Sequence, residues 1–104
     1  MLVTKVIEDG RVAVLISPGF GAGWSTWAEH DIHERVLFDP FVVEWVRNGK
    51  QGPVPVDHYN EYFYDGGAED LVIKWLPVGT KFIVREYDGH EFIETEDEIK
   101  WSIA

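Results

Sequence analysis

The spacing of hydrophobic and polar positions changes several times along this chain, and each change marks an element. Residues 2–8 and 11–16 are rich in β-branched side chains and read as strands. Asp9-Gly10 between them supplies two residues able to take positive φ, so the two segments form a hairpin with Glu8 opposite Arg11. Strand patterning returns over residues 71–76, 81–87, 90–95 and 99–103, with a turn at Pro77-Val78-Gly79-Thr80 and a second hairpin turn at Asp88-Gly89. A helical period appears once. Asp39-Pro40 joins an N-cap to a proline at the first helical position, Asn48-Gly49 closes the segment, and Phe41, Val42, Trp45 and Val46 recur between them at helical spacing. This spacing buries those four residues and turns Glu44, Arg47 and Asn48 to water. Residues 28–38 alternate irregularly and read as a loop or a short helix, while residues 50–55 read as an exposed connection.

These elements predict an α+β fold, a mostly antiparallel sheet of five or six strands with one main helix packed on one face. A length of 104 residues, 45% of them hydrophobic, suits a single domain over residues 1–104 with one core. The absence of cysteine excludes disulfides and thiolate metal sites. No 18-residue apolar run is present and the first residues lack the pattern of an export signal, so the expectation is a cytoplasmic protein with no membrane partner.

Charge narrows the partners. With 9 Lys and Arg against 19 Asp and Glu, the net charge of −10 opposes phosphate backbones and excludes direct nucleic-acid binding of the ordinary kind. It either maintains solubility or imitates the phosphate array of DNA to occupy a basic groove, and the acids Glu91, Glu94, Glu96, Asp97 and Glu98 cluster toward the C-terminus.

The chemistry concentrates in Ser17-Pro18-Gly19-Phe20-Gly21-Ala22-Gly23-Trp24-Ser25-Thr26-Trp27, directly after an apolar strand. Alternating glycines let another group approach the backbone closely, and successive amides in such a loop form an anion-binding nest. Gly21 and Gly23 would hold an anion, Ser25 and Thr26 would donate further hydrogen bonds, and Trp24 or a nearby tyrosine would stack on an aromatic moiety. The alternative is a structural turn whose tryptophans join the core. The loop matches neither G-x-G-x-x-G nor a P-loop. Asp65-Gly66-Gly67 sets a carboxylate beside exposed amides, or else forms a tight turn, and Tyr59, Tyr62, Phe63 and Tyr64 are either stacking surfaces or one face of a strand. His30 and His33 have the spacing of two metal ligands without a third, so no metal is assigned. Ser25 lacks a nucleophile elbow, and His58 and His90 could each meet a carboxylate only through folding, so the chain is read as a non-enzyme without cofactor.

Five segments together carry a resemblance: Gly21-Ala22-Gly23-Trp24-Ser25-Thr26-Trp27, Phe38-Asp39-Pro40, Tyr64-Asp65-Gly66-Gly67, Trp75-Leu76-Pro77-Val78-Gly79-Thr80 and Glu86-Tyr87-Asp88-Gly89. The chain resembles, over most of its length, a family of short tailed-bacteriophage proteins that brings no established activity with it. The resemblance implies a phage gene product in a host cytoplasm, where small acidic proteins counter host defence or redirect host enzymes.

The leading expectation is therefore a binding protein that sequesters a small nucleotide-like ligand through Gly21, Gly23, Trp24, Ser25, Thr26, Trp27 and Asp65, with Arg11, Arg35 and Arg85 as counter-charges and the Asp88-Gly89 hairpin remote from the site. The alternative is an acidic inhibitor of the DNA-mimic type that binds a host nuclease or polymerase. A homo-oligomer is compatible with both.

Overall fold

The computed structural model describes residues 3–59 and 63–104. Strand β1 (Ile7–Glu8) pairs antiparallel with β2 (Arg11–Ile16), and β2 pairs antiparallel with β3 (Val72–Pro77) along its whole length. Strands β4 (Phe82–Tyr87) and β5 (His90–Thr95) form a second, separate antiparallel sheet. Two helices, α1 (His33–Phe38) and α2 (Pro40–Arg47), lie between β2 and β3 in sequence. The fold is α+β, as the patterning predicts, and the five strands among the described residues are divided between two sheets.

Both Asp-Gly pairs fold as expected. Asp9 and Gly10 take φ of 52° and 75°, and Asp88 and Gly89 take 52° and 85°. These left-handed pairs are what a two-residue turn needs to match strand twist, and a short polar Asp tolerates the conformation better than most residues. Glu8 lies opposite Arg11 in register, yet its carboxylate forms its ion pair with Arg47 of α2.

Strand β2 explains the layering. Ala13 and Leu15 point to one side, where they pack with Trp24, Val36, Val42, Val43 and Leu71. Val14 and Ile16 point to the other, where they meet Leu37 and Phe38 of α1 and Phe82, Val84 and Ile93 of the β4–β5 hairpin. A strand covered on both faces has no solvent side, which is why residues 12–16 form an unbroken apolar run.

Asp39 separates the helices. Its backbone leaves the helical region at φ −51°, ψ 116°, and its Oδ1 accepts from the amides of Phe41 (2.8 Å) and Val42 (3.4 Å), the N-cap predicted from Asp39-Pro40. The buried face of α2 differs from the expected one. Val42 and Val43 are fully buried, Trp45 and Val46 are half-buried, and Phe41 is 69% exposed. The polypeptide enters α2 directly from α1, so the short helix is rotated to present Val43 rather than Phe41 to β2 and β3. Trp45 keeps its Nε1 near water and donates to the Gly52 carbonyl at 3.1 Å.

The expected strand over residues 99–103 is absent. The Thr95 amide and hydroxyl donate to the Glu98 carboxylate at 2.9 and 2.7 Å, and the Thr95 side-chain oxygen accepts from the Glu98 amide, which completes a capping box over the Glu96–Glu98 3-10 helix and directs the chain away from the hairpin. These hydrogen bonds hold the Glu98 carboxyl below its ordinary pKa. Trp101 and Ile103 follow, exposed. Of the strand expected over residues 2–8, the described residues 3–8 form a ladder only at Ile7–Glu8, and residue 2 lies outside the described residues. No helix among the described residues is long and apolar enough to cross a membrane.

Tyr59 makes the fold sensitive to alkali. Its ring is buried and its hydroxyl donates to Asp39 Oδ2 at 2.5 Å. Burial first, then the hydrogen bond and charge of Asp39, raise the phenol far above its ordinary pKa. Unfolded tyrosine loses its proton near pH 10 while the folded ring keeps it, so stability falls as pH rises past about 10. Urea denaturation from pH 7 to 11 should show this slope reduced in Tyr59→Phe, which should also cost about 1 kcal/mol at pH 7.

Candidate functional site

The glycine loop is organised around a carboxylate from the far end of the chain. In β5 the alternation places Glu91 on the inner face with Ile93, and Glu91 is completely buried. Its Oε1 accepts from the Ser17 amide at 2.9 Å. Its Oε2 accepts from the Trp24 amide at 2.7 Å, the Thr26 amide at 3.1 Å and the Thr26 hydroxyl at 2.6 Å. The Glu91 amide in turn donates to the Ser17 carbonyl at 2.9 Å. Four donors converge on one side chain, so the oxyanion in this cradle belongs to the protein. The sequence groups Glu91 with the acids clustered toward the C-terminus; the structure places it at the centre of the loop.

Other contacts fix the surroundings. The Ser17 hydroxyl donates to the Gly67 carbonyl at 2.9 Å, which docks the Asp65-Gly66-Gly67 turn against the loop. A Cβ on Gly67 would stand 2.5 Å from the Gly23 carbonyl oxygen, so this approach requires glycine. The Gly21 amide donates to the Asp88 carbonyl at 2.8 Å, and a Cβ on Gly89 would collide with the Ala22 backbone. The second hairpin turn is thus part of the loop's wall, not remote from it.

The predicted residues divide into two groups. Trp24 is fully buried, with its indole N–H donating to the Val36 carbonyl at 3.1 Å and its ring edge-to-face with Phe63 at 5.0 Å. Gly23 is buried beneath Thr26 and Trp27, at a distance where a Cβ would meet the Thr26 hydroxyl at 2.5 Å. Ser25 is buried too: its carbonyl lies 2.9 Å from His33 Nδ1, and its hydroxyl has no partner among the described residues. Gly21, at φ 111°, is exposed, as are Trp27 and Asp65. Trp27 stacks on the exposed Tyr64 at 5.9 Å, and Phe20, 71% exposed, stacks on His90 at 4.9 Å. Phe20, Gly21, Trp27, Glu86 and Asp88 line one shallow depression.

The remaining candidates lie elsewhere. Tyr62 is outside the described residues, and Tyr59 is buried rather than offered for stacking. Arg85 pairs with Glu94 at 2.9 Å on the hairpin, Arg11 is exposed on β2, and Arg35 lies 5.7 Å over the Tyr59 ring. Among the described residues, no group of three or more His, Asp or Glu is arranged to hold a metal ion. His58 does meet a carboxylate, with Nε2 at 2.5 Å from Asp39 Oδ2, and His90 Nδ1 contacts the Pro18 carbonyl.

One sequence signal pointed toward Glu91. A two-residue turn at Asp88-Gly89 sets Glu86 directly opposite Glu91, and two like charges facing each other on a hairpin are unfavourable unless one has another partner. Comparison with protein-family models, curated proteins and solved structures finds no match to this chain.

Removing the carboxylate strands its donors. Each buried donor left without an acceptor costs about 1–3 kcal/mol, so Glu91→Ala should lower stability by roughly 3 kcal/mol or more in urea denaturation. Glu96→Gln, an equal change of charge at an exposed position, should stay within about 0.5 kcal/mol.

Proposed function

We propose that this chain is a non-enzymatic interaction protein whose aromatic, acidic face takes a basic segment of another protein. The observation that carries this reading is the occupation of the loop's donors by Glu91. A phosphorylated ligand at Gly21, Gly23, Ser25 and Thr26 would have to displace a buried carboxylate that already holds the Trp24 and Thr26 amides. What the loop offers outward is the reverse chemistry. Phe20 and Trp27 present ring faces beside Glu86 and Asp88, with Tyr64 and Asp65 adjoining. Ring faces attract guanidinium and ammonium groups through their quadrupoles, and carboxylates beside them add charge. The overall charge of −10 steers a basic partner toward this surface.

The phage resemblance gives the reading its setting: in a host cytoplasm, the basic groove of a nuclease or polymerase is a target of this chemistry, and occupying it would be an anti-defence activity. Direct nucleic-acid binding has no part in it.

An arginine-rich peptide titrated against the full chain tests the reading. Binding should weaken steeply with salt, and the double variant Phe20→Ala, Trp27→Ala should bind at least tenfold more weakly while staying folded at the titration temperature, as circular dichroism would check. Equal affinity of the double variant, or binding indifferent to salt, would overturn it.

A further inference from the structure

A second cleft, away from the glycine loop, has the opposite character. It lies where the segment before β1 passes the junction of α1 and α2, encloses about 380 Å³ and is lined by Thr4, Arg35, Asp39, Phe41 and His58, among others. We propose that this cleft binds a nucleoside monophosphate, with Arg35 and His58 on the phosphate and Phe41 against the base.

Asp39 prepares the site by positioning His58, and Arg35 offsets its charge. It is 4% exposed, and both its oxygens are engaged: Oδ1 with the Phe41 and Val42 amides, Oδ2 with Tyr59 and His58. The carboxylate thus has its acceptor sites filled and part of its charge offset by four partners. It also fixes the imidazole by taking Nε2, which leaves Nδ1 for a ligand. Nδ1 can accept from a phosphate O–H or, once protonated, donate to a phosphate oxygen, so the contact exists in either protonation state. The helix N-terminus contributes no amide, because Pro40 has none and the next two are bound by Asp39.

Arg35 supplies the fixed positive charge. Its guanidinium lies 5.7 Å over the buried Tyr59 ring, so its position is set by packing, and its planar donors suit two phosphate oxygens at once. Among the described residues it forms no salt bridge. Thr4 adds a hydroxyl to the same wall.

Phe41 identifies the rest of the ligand. The helical pattern of α2 would bury it, yet it stands 69% exposed on the rim of this cleft, edge-to-face with His58 at 5.8 Å. An exposed phenyl ring next to an arginine and a histidine offers a stacking face to a flat heterocycle joined to a phosphate. A bare phosphate would use only half of this arrangement.

Calorimetric titration of the full chain with adenosine 5′-monophosphate, adenosine and inorganic phosphate tests the proposal, together with amide chemical-shift mapping. The monophosphate should bind more tightly than either fragment, and the shifts should centre on Thr4, Arg35, Phe41 and His58. Arg35→Gln and His58→Gln should each weaken the monophosphate at least tenfold. Phe41→Ala should weaken it about fivefold while leaving inorganic phosphate unchanged. No binding by the wild-type chain, shifts centred on residues 19–27, or adenosine binding as tightly as its monophosphate would overturn the assignment. Should a variant unfold, the wild-type shift map alone decides between these outcomes. Failure here leaves the basic-partner reading standing, because none of these residues lines the Phe20 and Trp27 depression.

Discussion

A loop of three alternating glycines has little intrinsic reason to hold one conformation, since glycine loses more backbone freedom on ordering than any other residue. In this protein the compensation is a single buried side chain. The Glu91 carboxylate gathers the Ser17 and Trp24 amides and both donors of Thr26, so one group satisfies the polar backbone across ten residues of loop. The same residue ties β5 to the end of β2 through its own amide. With Glu91 in place, Trp24 can enter the core, the Gly67 turn can close against Gly23, and Trp27 is held at the surface beside Tyr64. Charge-assisted hydrogen bonds in a low-dielectric setting carry this weight because the alternative is a set of stranded donors.

Local chemistry made much of the fold readable. Two Asp-Gly pairs specify their turns through φ alone, and Asp39-Pro40 specifies a helix start through one side-chain acceptor and one missing amide. Where a second element intervened, local reading lost accuracy. Phe41 matches the apolar face of an isolated helix, but α1 immediately before it sets the rotation of α2. Residues 99–103 have strand composition yet form no strand, since Thr95 and Glu98 have already turned the chain. Composition marked the loop as special, and the structure supports the sense that its backbone is tightly constrained. It could not show what constrains it, because that residue is an acid in an acidic segment and is distinguished only by which face of a hairpin it occupies.

The two clefts divide the charge of the molecule. Around Phe20 and Trp27 the carboxylates Glu86 and Asp88 are outward and the field favours cations. Around Arg35 and His58 the one carboxylate among the described lining residues, Asp39, is wrapped in four hydrogen bonds. A strongly acidic chain can thereby keep one locally basic recess, since what an approaching group meets is decided by which acids are solvated and which are already bound.

The contacts of Glu91 span 65 to 74 residues of sequence. During synthesis the glycine loop leaves the ribosome well before its organising carboxylate has been made, and closing so long a segment is slow relative to forming either hairpin. The loop's amides must therefore spend the early life of each molecule bound to water. Presentation of Phe20 and Trp27 in their final arrangement reports that the β4–β5 hairpin has docked, so the face proposed to take a basic partner forms only after that late contact is made.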